Sequence, residues 1–379
     1  MIGLNIKNRF SVCFIFLVAI LFSCNNNENK KQIFSEKKDG FYIDTSVYKP
    51  FAKKTLDSIN ANFKSDFHGT ILVYKKGHLF KKAFGNRTLK NKDSMRINDI
   101  FQLASVSKTV TAIAVLKLCQ EKKLSLDSLY CKYLPTFPYK NVTVYQLLCH
   151  RSGLPNYIYH TDTFWKNETK MMCNQDLLDF FVRCKPEPYT RPDCSFSYNN
   201  TNFALLPLLI EKISGKKFEN YVLENILKPC GMKSTYFFGH PYKHIKKEAL
   251  IGRFEKVLYD EPYYLNTILG DKSLMSTVED MFQFYRGLRN KKLLNDTFLT
   301  LLQTPTYKNN VYGGSYGLGF RLKNIDGKKW VYHNGWWKGF WTFFWTKMDE
   351  DICFVVLTNN KKSSHLNYIS LMKALEKAE

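Results

Sequence analysis

Two serine-centred patterns in the chain have the residue types that acyl-transfer chemistry needs. In Ser105-Val106-Ser107-Lys108 a hydroxyl and an amine stand three residues apart. On a helix that spacing puts both on one face, within reach of each other. The first turn of a helix also offers unpaired N–H groups and a partial positive charge, which favour an oxyanion there. An amine that is desolvated and crowded by that dipole loses its proton more easily, so it can serve as a base near neutral pH. The second pattern, Gly313-Gly314-Ser315-Tyr316-Gly317, fits the G-x-S-x-G elbow of α/β-hydrolases. That elbow works only between a preceding strand and a following helix. Here residues 306–310 are polar and Tyr316-Gly317-Leu318-Gly319-Phe320 is extended and Gly-broken, so the context rejects it. Ser105 is the candidate nucleophile. Taken alone, its four residues equally describe a helix N-cap serine followed by a surface lysine, and the surrounding sequence has to decide.

The remaining reactive residues do not assemble a second site. His240 and His244 have a spacing seen in metal sites, but Pro241 lies between them and no acidic partner is evident, so no metal is assigned and no cofactor is called for. The ten cysteines include no C-x-x-C pair, which argues against a zinc ribbon or a thioredoxin-like site. In an oxidising compartment Cys184 with Cys194 is the most local candidate disulfide, and the others read as free thiols inside helices.

A 379-residue chain that is 45% hydrophobic suits one large or two intimately packed domains. Its formal charge is +23, but the lysines are scattered and no basic run is interleaved with aromatics, so nucleic acid is not an expected partner. Lys7 and Arg9 precede an apolar run over 10–22, the pattern of an export signal. At about 1.5 Å per residue this run is too short for a hydrocarbon core of roughly 30 Å. It ends at Leu21-Phe22-Ser23-Cys24 before a polar stretch, which resembles a bacterial lipoprotein processing site with Cys24 as the acylated residue. The expectation is an exported protein of the cell envelope, held to a membrane by an N-terminal lipid anchor and facing the periplasm or exterior. Residues 1–23 are then the signal, 24–45 a flexible tether, and 46–379 the folded domain.

Within that domain Ala52, Leu56, Ile59 and Phe63 fall on one face of a helix. Residues 70–75 and 78–84 read as strands joined by the hairpin signal Lys76-Gly77. Residues 101–120 read as a buried helix. From about 125 to 300 the pattern is helical, with Ser276-Thr277-Val278-Glu279 as a capping box before 281–288. Strands return at 316–322, 330–333, 340–346 and 352–358, with a turn over 348–351, and a helix closes the chain over 366–377. Strands at both ends and helices between imply an α+β fold, an α/β sandwich. Its antiparallel sheet is assembled from the two chain ends and flanked by helices, with a large helical insertion at about 125–300.

Phe101-Gln102-Leu103-Ala104-Ser105-Val106-Ser107-Lys108-Thr109-Val110-Thr111-Ala112 resembles the nucleophile segment of the serine β-lactamase and penicillin-binding family, in its class C and esterase branch. Further motifs follow in family order. Leu147-Leu148-Cys149-His150-Arg151-Ser152-Gly153-Leu154-Pro155 looks like that branch's loop after the nucleophile helix, and Tyr198-Asn199-Asn200 like its Y-x-N element. Leu269-Gly270-Asp271-Lys272-Ser273-Leu274-Met275-Ser276-Thr277-Val278-Glu279-Asp280 resembles its glycine-led segment before a helix. Tyr316-Gly317-Leu318-Gly319-Phe320, His333-Asn334-Gly335 and Val355-Val356-Leu357-Thr358-Asn359 fit its C-terminal strands. The similarity runs from about residue 50 to 360, and it implies a β-lactamase/transpeptidase-like fold.

The resemblance also implies roles. Ser105 would form an acyl-enzyme that water resolves, and Lys108 and Tyr198 would share the proton work, either one serving as the base. Asn200 would orient Lys108 and contact the substrate. The N–H groups of Ser105 and of Trp336, next after the triplet that ends in Gly335, would form the oxyanion hole. His333 departs from the Lys of the Lys-Thr-Gly triplet in β-lactamases and D,D-carboxypeptidases. That Lys is a permanent cation suited to a carboxylate, whereas His is mostly neutral near pH 7. An ester or small peptide amide is therefore the expected substrate, as in the esterases and D-amino-acid peptidases of this branch. A true β-lactamase or D,D-carboxypeptidase ranks second and a non-catalytic cell-wall binder third. Trp330, Trp336, Trp337, Trp341 and Trp345 lie in or beside the strand that should edge the cleft, and Trp336 or Trp337 is the expected substrate contact.

Overall fold

The computed structural model describes residues 34–37, 40–43, 45–63, 66–88, 93–166, 170–245, 248–254, 257–259, 263–307, 314–360 and 367–378. The signal, Cys24 and Gly313 lie outside the described residues. Within the stretch read as a tether, Phe34–Lys37 pairs antiparallel with Gly40–Ile43. Among the described residues, no helix is long and apolar enough to cross a membrane.

Seven strands form the main sheet: β1 Gly69–Lys75, β2 His78–Phe84, β3 Gly314–Tyr316, β4 Arg321–Ile325, β5 Lys328–Trp337, β6 Phe340–Lys347 and β7 Ile352–Thr358. Their order is β3-β4-β5-β6-β7-β1-β2, and every neighbouring pair is antiparallel. The β7–β1 pairing, Thr358 with Gly69 through Ile352 with Lys75, joins the two ends of the chain as the sequence pattern requires. Lys76 and Gly77 both take positive φ (44° and 87°), the geometry that lets a two-residue turn follow the twist of β1 and β2.

Both faces of the sheet are covered, which is why β1 and β7 are buried along their whole length. On the outer face Ile71, Val73, Phe343, Trp345, Phe354 and Val356 pack with Ile59 of α1 (Lys53–Asn60) and with Leu371, Met372 and Leu375 of α6 (Tyr368–Glu376). Trp330 joins this core and Trp341 packs against it, so these tryptophans and Trp345 face away from the cleft. Period-2 alternation alone puts Trp341 and Trp345 on one face of β6 without saying which face borders the cleft.

The helical side is built around α2 (Ser107–Gln120), whose buried residues from Ser107 to Leu118 surround the helix. Such all-round burial marks a central helix. Helix α4 (Asn200–Ser214) packs on α2, and α3 (Asn174–Cys184) packs on α4. Helix α5 (Val278–Arg289) packs on β7 and β1. The helix expected from residue 101 begins at Ser107. Phe101–Gln102 pairs instead with Leu274–Ser276, and Ala104–Val106 forms a 3-10 turn with Ala104 at φ 48°. The cap of α5 likewise sits one residue later than expected: Thr277 Oγ1 accepts from Asp280 N at 3.1 Å, while Ser276 Oγ meets Thr235 Oγ1 at 2.7 Å. Cys184 and Cys194 are both free and exposed, so the local disulfide does not form.

Candidate active site

Ser105 sits in the tight turn between the Phe101–Gln102 strand and α2, and Lys108 is in the first turn of that helix. The Lys108 amine is fully buried and donates to Ser105 Oγ at 3.1 Å, to Asn200 Oδ1 at 2.7 Å and to the Asp271 carbonyl at 2.9 Å. These three contacts fix the amine beside the hydroxyl. Asp271 escaped the sequence reading because a carbonyl acceptor leaves no side-chain signature.

Tyr198 packs against this amine. Its ring centroid lies 5.2 Å from Lys108 Nζ and 4.8 Å from the Arg321 guanidinium carbon. Its hydroxyl oxygen is buried with no hydrogen-bond partner among the described residues. A buried polar atom left open in this way is available to a substrate or to a transferred proton. Arg321, on β4, is a cation of the site that the sequence reading missed.

The loop at 147–155 fastens the segment from Tyr198 to Asn202. His150 is buried at φ 58°, and its Nδ1 accepts from Asn199 N at 3.2 Å and from Asn202 Nδ2 at 3.1 Å. Its ring packs 4.4 Å from that of Tyr198. Asn199 Nδ2 donates to Leu154 O at 2.5 Å, and Thr201 Oγ1 to Pro155 O at 2.7 Å. Burial, then the Lys108 charge, hold His150 well below its usual pKa, so it is a neutral spacer.

His333 lies on β5 and is fully buried. Its Nδ1 donates to the Asn334 carbonyl at 2.7 Å, leaving Nε2 to accept from the Tyr316 hydroxyl at 3.2 Å. Burial, then the charges of Arg321 and Lys108, hold it well below its usual value. It is an uncharged imidazole at neutral pH. Two residues on, Gly335 brings β5 against the serine turn. A Cβ there would meet the Leu103 carbonyl and Thr342 Oγ1 at 2.3 Å and the Ala104 Cβ at 3.0 Å. The Thr342 hydroxyl donates to that same Leu103 carbonyl at 2.6 Å, locking the contact.

Alternation separates the two tryptophans that follow. Trp337 shares the side of His333 and Gly335; its indole N–H donates to Asn266 Oδ1 at 2.8 Å and its ring packs on Tyr263. Trp336 falls on the opposite face, beside Trp341, and is 55% exposed. Ser315 lies within β3, an extended edge strand, away from any strand-to-helix elbow. His240 Nδ1 lies 3.8 Å from Glu219 while His244 Nε2 meets the Lys233 carbonyl at 3.0 Å, so the two imidazoles engage different partners.

Residues 61–374 match the family model described as Beta-lactamase. Penicillin-binding protein 4* of Bacillus subtilis is 29% identical over 330 residues, covering 83% of this chain and 72% of the relative. The chain spans 59% of the length of the next curated relatives that it matches. The crystal structure of a penicillin binding protein from Bacillus halodurans superposes with a TM-score of 0.71 at 26% identity, covering 86% of this chain and 99% of the other. A D-amino acid amidase from Ochrobactrum anthropi SV3, complexed with D-phenylalanine, superposes at 0.73 over 86% of this chain and 99% of its own, and at 18% identity it shows the fold alone.

Proposed function

Because the chain belongs to the beta-lactamase family of serine hydrolases, we propose that it hydrolyses an ester or a small peptide amide through an acyl-enzyme on Ser105. The observation that carries this reading is the Lys108 amine, fully buried and 3.1 Å from the Ser105 hydroxyl. Ser105 Oγ bonds to the acyl carbon as its proton passes to Lys108 or to Tyr198 as phenolate. The tetrahedral oxyanion takes the N–H groups of Ser105 and Trp336, on the two elements that Gly335 presses together. The bond to the leaving group then breaks, and that group takes the proton. Water repeats the sequence on the acyl-enzyme, releasing the acid and restoring the Ser105 hydroxyl. Asn200 holds Lys108 in place for both halves.

One observation favours a second reading, a D,D-carboxypeptidase or true β-lactamase. Neutral His333 offers no charge to a carboxylate, yet the Arg321 guanidinium beside Tyr198 forms no ion pair among the described residues and offers one. Intact-mass analysis with two probes distinguishes the readings. A fluorophosphonate is expected to add once per chain, on the peptide containing Ser105, at least tenfold faster than a penicillin. Equal or faster acylation by the penicillin supports the second reading. No adduct, or one elsewhere, overturns the hydrolase assignment in favour of a non-catalytic binder.

The same reading places the enzyme in the cell envelope, tethered by a lipid on Cys24, which the export-like run before it supports. Cys24→Ser is expected to move the protein from the membrane fraction to the soluble one; unchanged fractionation would count against the anchor.

A further inference from the structure

Residues 269–274 lie along the start of α2, tied to it through their backbone. Gly270 O accepts from Thr111 Oγ1 at 2.7 Å, Asp271 O from Lys108 Nζ at 2.9 Å, and Lys272 O from Gln102 Nε2 at 3.2 Å. Leu274 N donates to Ser107 Oγ at 3.1 Å. The side chains of this segment close a buried ring with Tyr157. Lys272 Nζ reaches Oδ1 and Oδ2 of Asp271 at 3.2 and 3.1 Å and donates to the Tyr157 hydroxyl, which donates to Asp271 Oδ2 at 2.8 Å. Asp271 is wholly buried and Lys272 is 2% exposed. The ring presents no face to a ligand, and a buried ion pair is weak evidence for stability, since apolar side chains of the same volume often serve as well. Lys272 Nζ also lies 5.0 Å from the Trp337 ring centroid, and the buried ring reaches Lys108 through one carbonyl and through charge.

We propose that the Asp271–Lys272–Tyr157 ring positions Lys108, clamping the Asp271 carbonyl onto its amine and keeping the net charge beside that amine at zero. This rests on the reading of Ser105 and Lys108 as nucleophile and amine. Burial draws Lys272 down to about 8, against the pull of Asp271, and Lys108 lowers it further, so the two side chains are electrostatically linked. Burial, then Asp271, hold Tyr157 well above its usual range, with smaller contributions from Tyr263 and Tyr264. Toward Lys108 from the other elements come Tyr198, the neutral His150 and His333, and the cation Arg321. The charged side chains around that amine are therefore Arg321, Lys272 and Asp271.

Lys272→Met leaves the Asp271 carboxylate alone, a negative charge that favours protonated Lys108, and favours protonated Tyr198 equally if that is the base. The acid limb of kcat/KM against pH, measured with p-nitrophenyl butyrate, is then expected to move up by about one unit. Activity falls about tenfold on that limb and recovers toward alkaline pH. Asp271→Asn removes the carboxylate, and whatever cationic fraction Lys272 keeps without that partner moves the limb down. The double variant, with neither charge, returns it to within about 0.3 unit of the wild type. Asp271→Asn and the double variant keep the test open if Lys272→Met does not fold. A purely structural role lowers activity at every pH and leaves the limb in place; that result in the foldable variants overturns the inference. Ser105→Ala is run alongside. Turnover that survives it overturns the nucleophile reading and this inference together, whereas lost turnover with unmoved limbs overturns this inference alone.

Discussion

Lys108→Met is expected to lower kcat/KM for an activated ester by about 10³-fold or more, close to the loss from Ser105→Ala, with the double variant no worse than either. The reason is that the two side chains form one unit. Lys108 Nζ is the amine in contact with Ser105 Oγ, and a hydroxyl without a base attacks as slowly as no hydroxyl at all. KM should change little, since proton transfer matters in the transition state more than in substrate binding. Stability separates the variants. Ser105→Ala removes one exposed-side hydroxyl contact and should melt like the wild type. Lys108→Met strips the donor from Asn200 Oδ1 and the Asp271 carbonyl, each costing about 1–3 kcal/mol if left unsatisfied. Additive losses in the double variant, or a Lys108→Met enzyme within tenfold of the wild type, would remove Lys108 from the chemistry.

The parts of this site that were legible in sequence share one property: their meaning is local. Ser105 and Lys108 sit three residues apart, Tyr198 and Asn200 two, and β1 and β7 carry continuous apolar runs between clear turns. What sequence could not give depends on pairings over long separations. Whether the helix starts at 101 or 107 was settled by the Leu274–Ser276 strand, which takes Phe101 and Gln102 into a sheet. That overrides a helical pattern, as tertiary pairing commonly does. The tryptophans show the same limit. Alternation groups Trp341 and Trp345 correctly, but only α6, packed from the far end of the chain, fixes their face as the outer core. His150 was read as part of a family loop, and its work, holding Asn199 and packing on Tyr198, appears only once residues nearly fifty positions apart are in contact.

The charge pattern of the cleft follows from burial more than from residue choice. Two histidines sit beside Lys108 and both are kept neutral by desolvation and by neighbouring cations. The sequence argument that His333 offers a carboxylate less than a lysine would is thus strengthened. The compensating cation, Arg321, comes from the neighbouring strand, where Arg321 pairs with Tyr332, next to His333. Two residues of opposite consequence for substrate charge are therefore built side by side, and one of them was visible only after β4 and β5 were paired.

Gly335→Ala is expected to disable the site by adding a single methyl. The added Cβ lands 2.3 Å from a backbone carbonyl, Leu103 O, and from Thr342 Oγ1, with the Ala104 Cβ 3.0 Å away. A flexible side chain could turn aside, but a carbonyl in the turn that carries Ser105 cannot move without moving the serine. β5 must lift instead, and the Trp336 N–H moves with it, away from any oxyanion formed at Ser105. Loss of one such donor costs about 10²–10³-fold in kcat. Overpacking of this kind also costs about 1–3 kcal/mol, a fall in Tm of roughly 5 °C for a domain this large. Adding Thr342→Ala relieves one of the two contacts and should return part of the Tm, while kcat stays low because the Leu103 carbonyl remains. If Gly335→Ala instead keeps kcat within threefold of the wild type, β5 does not supply the second donor, and the oxyanion must be held by the serine turn alone.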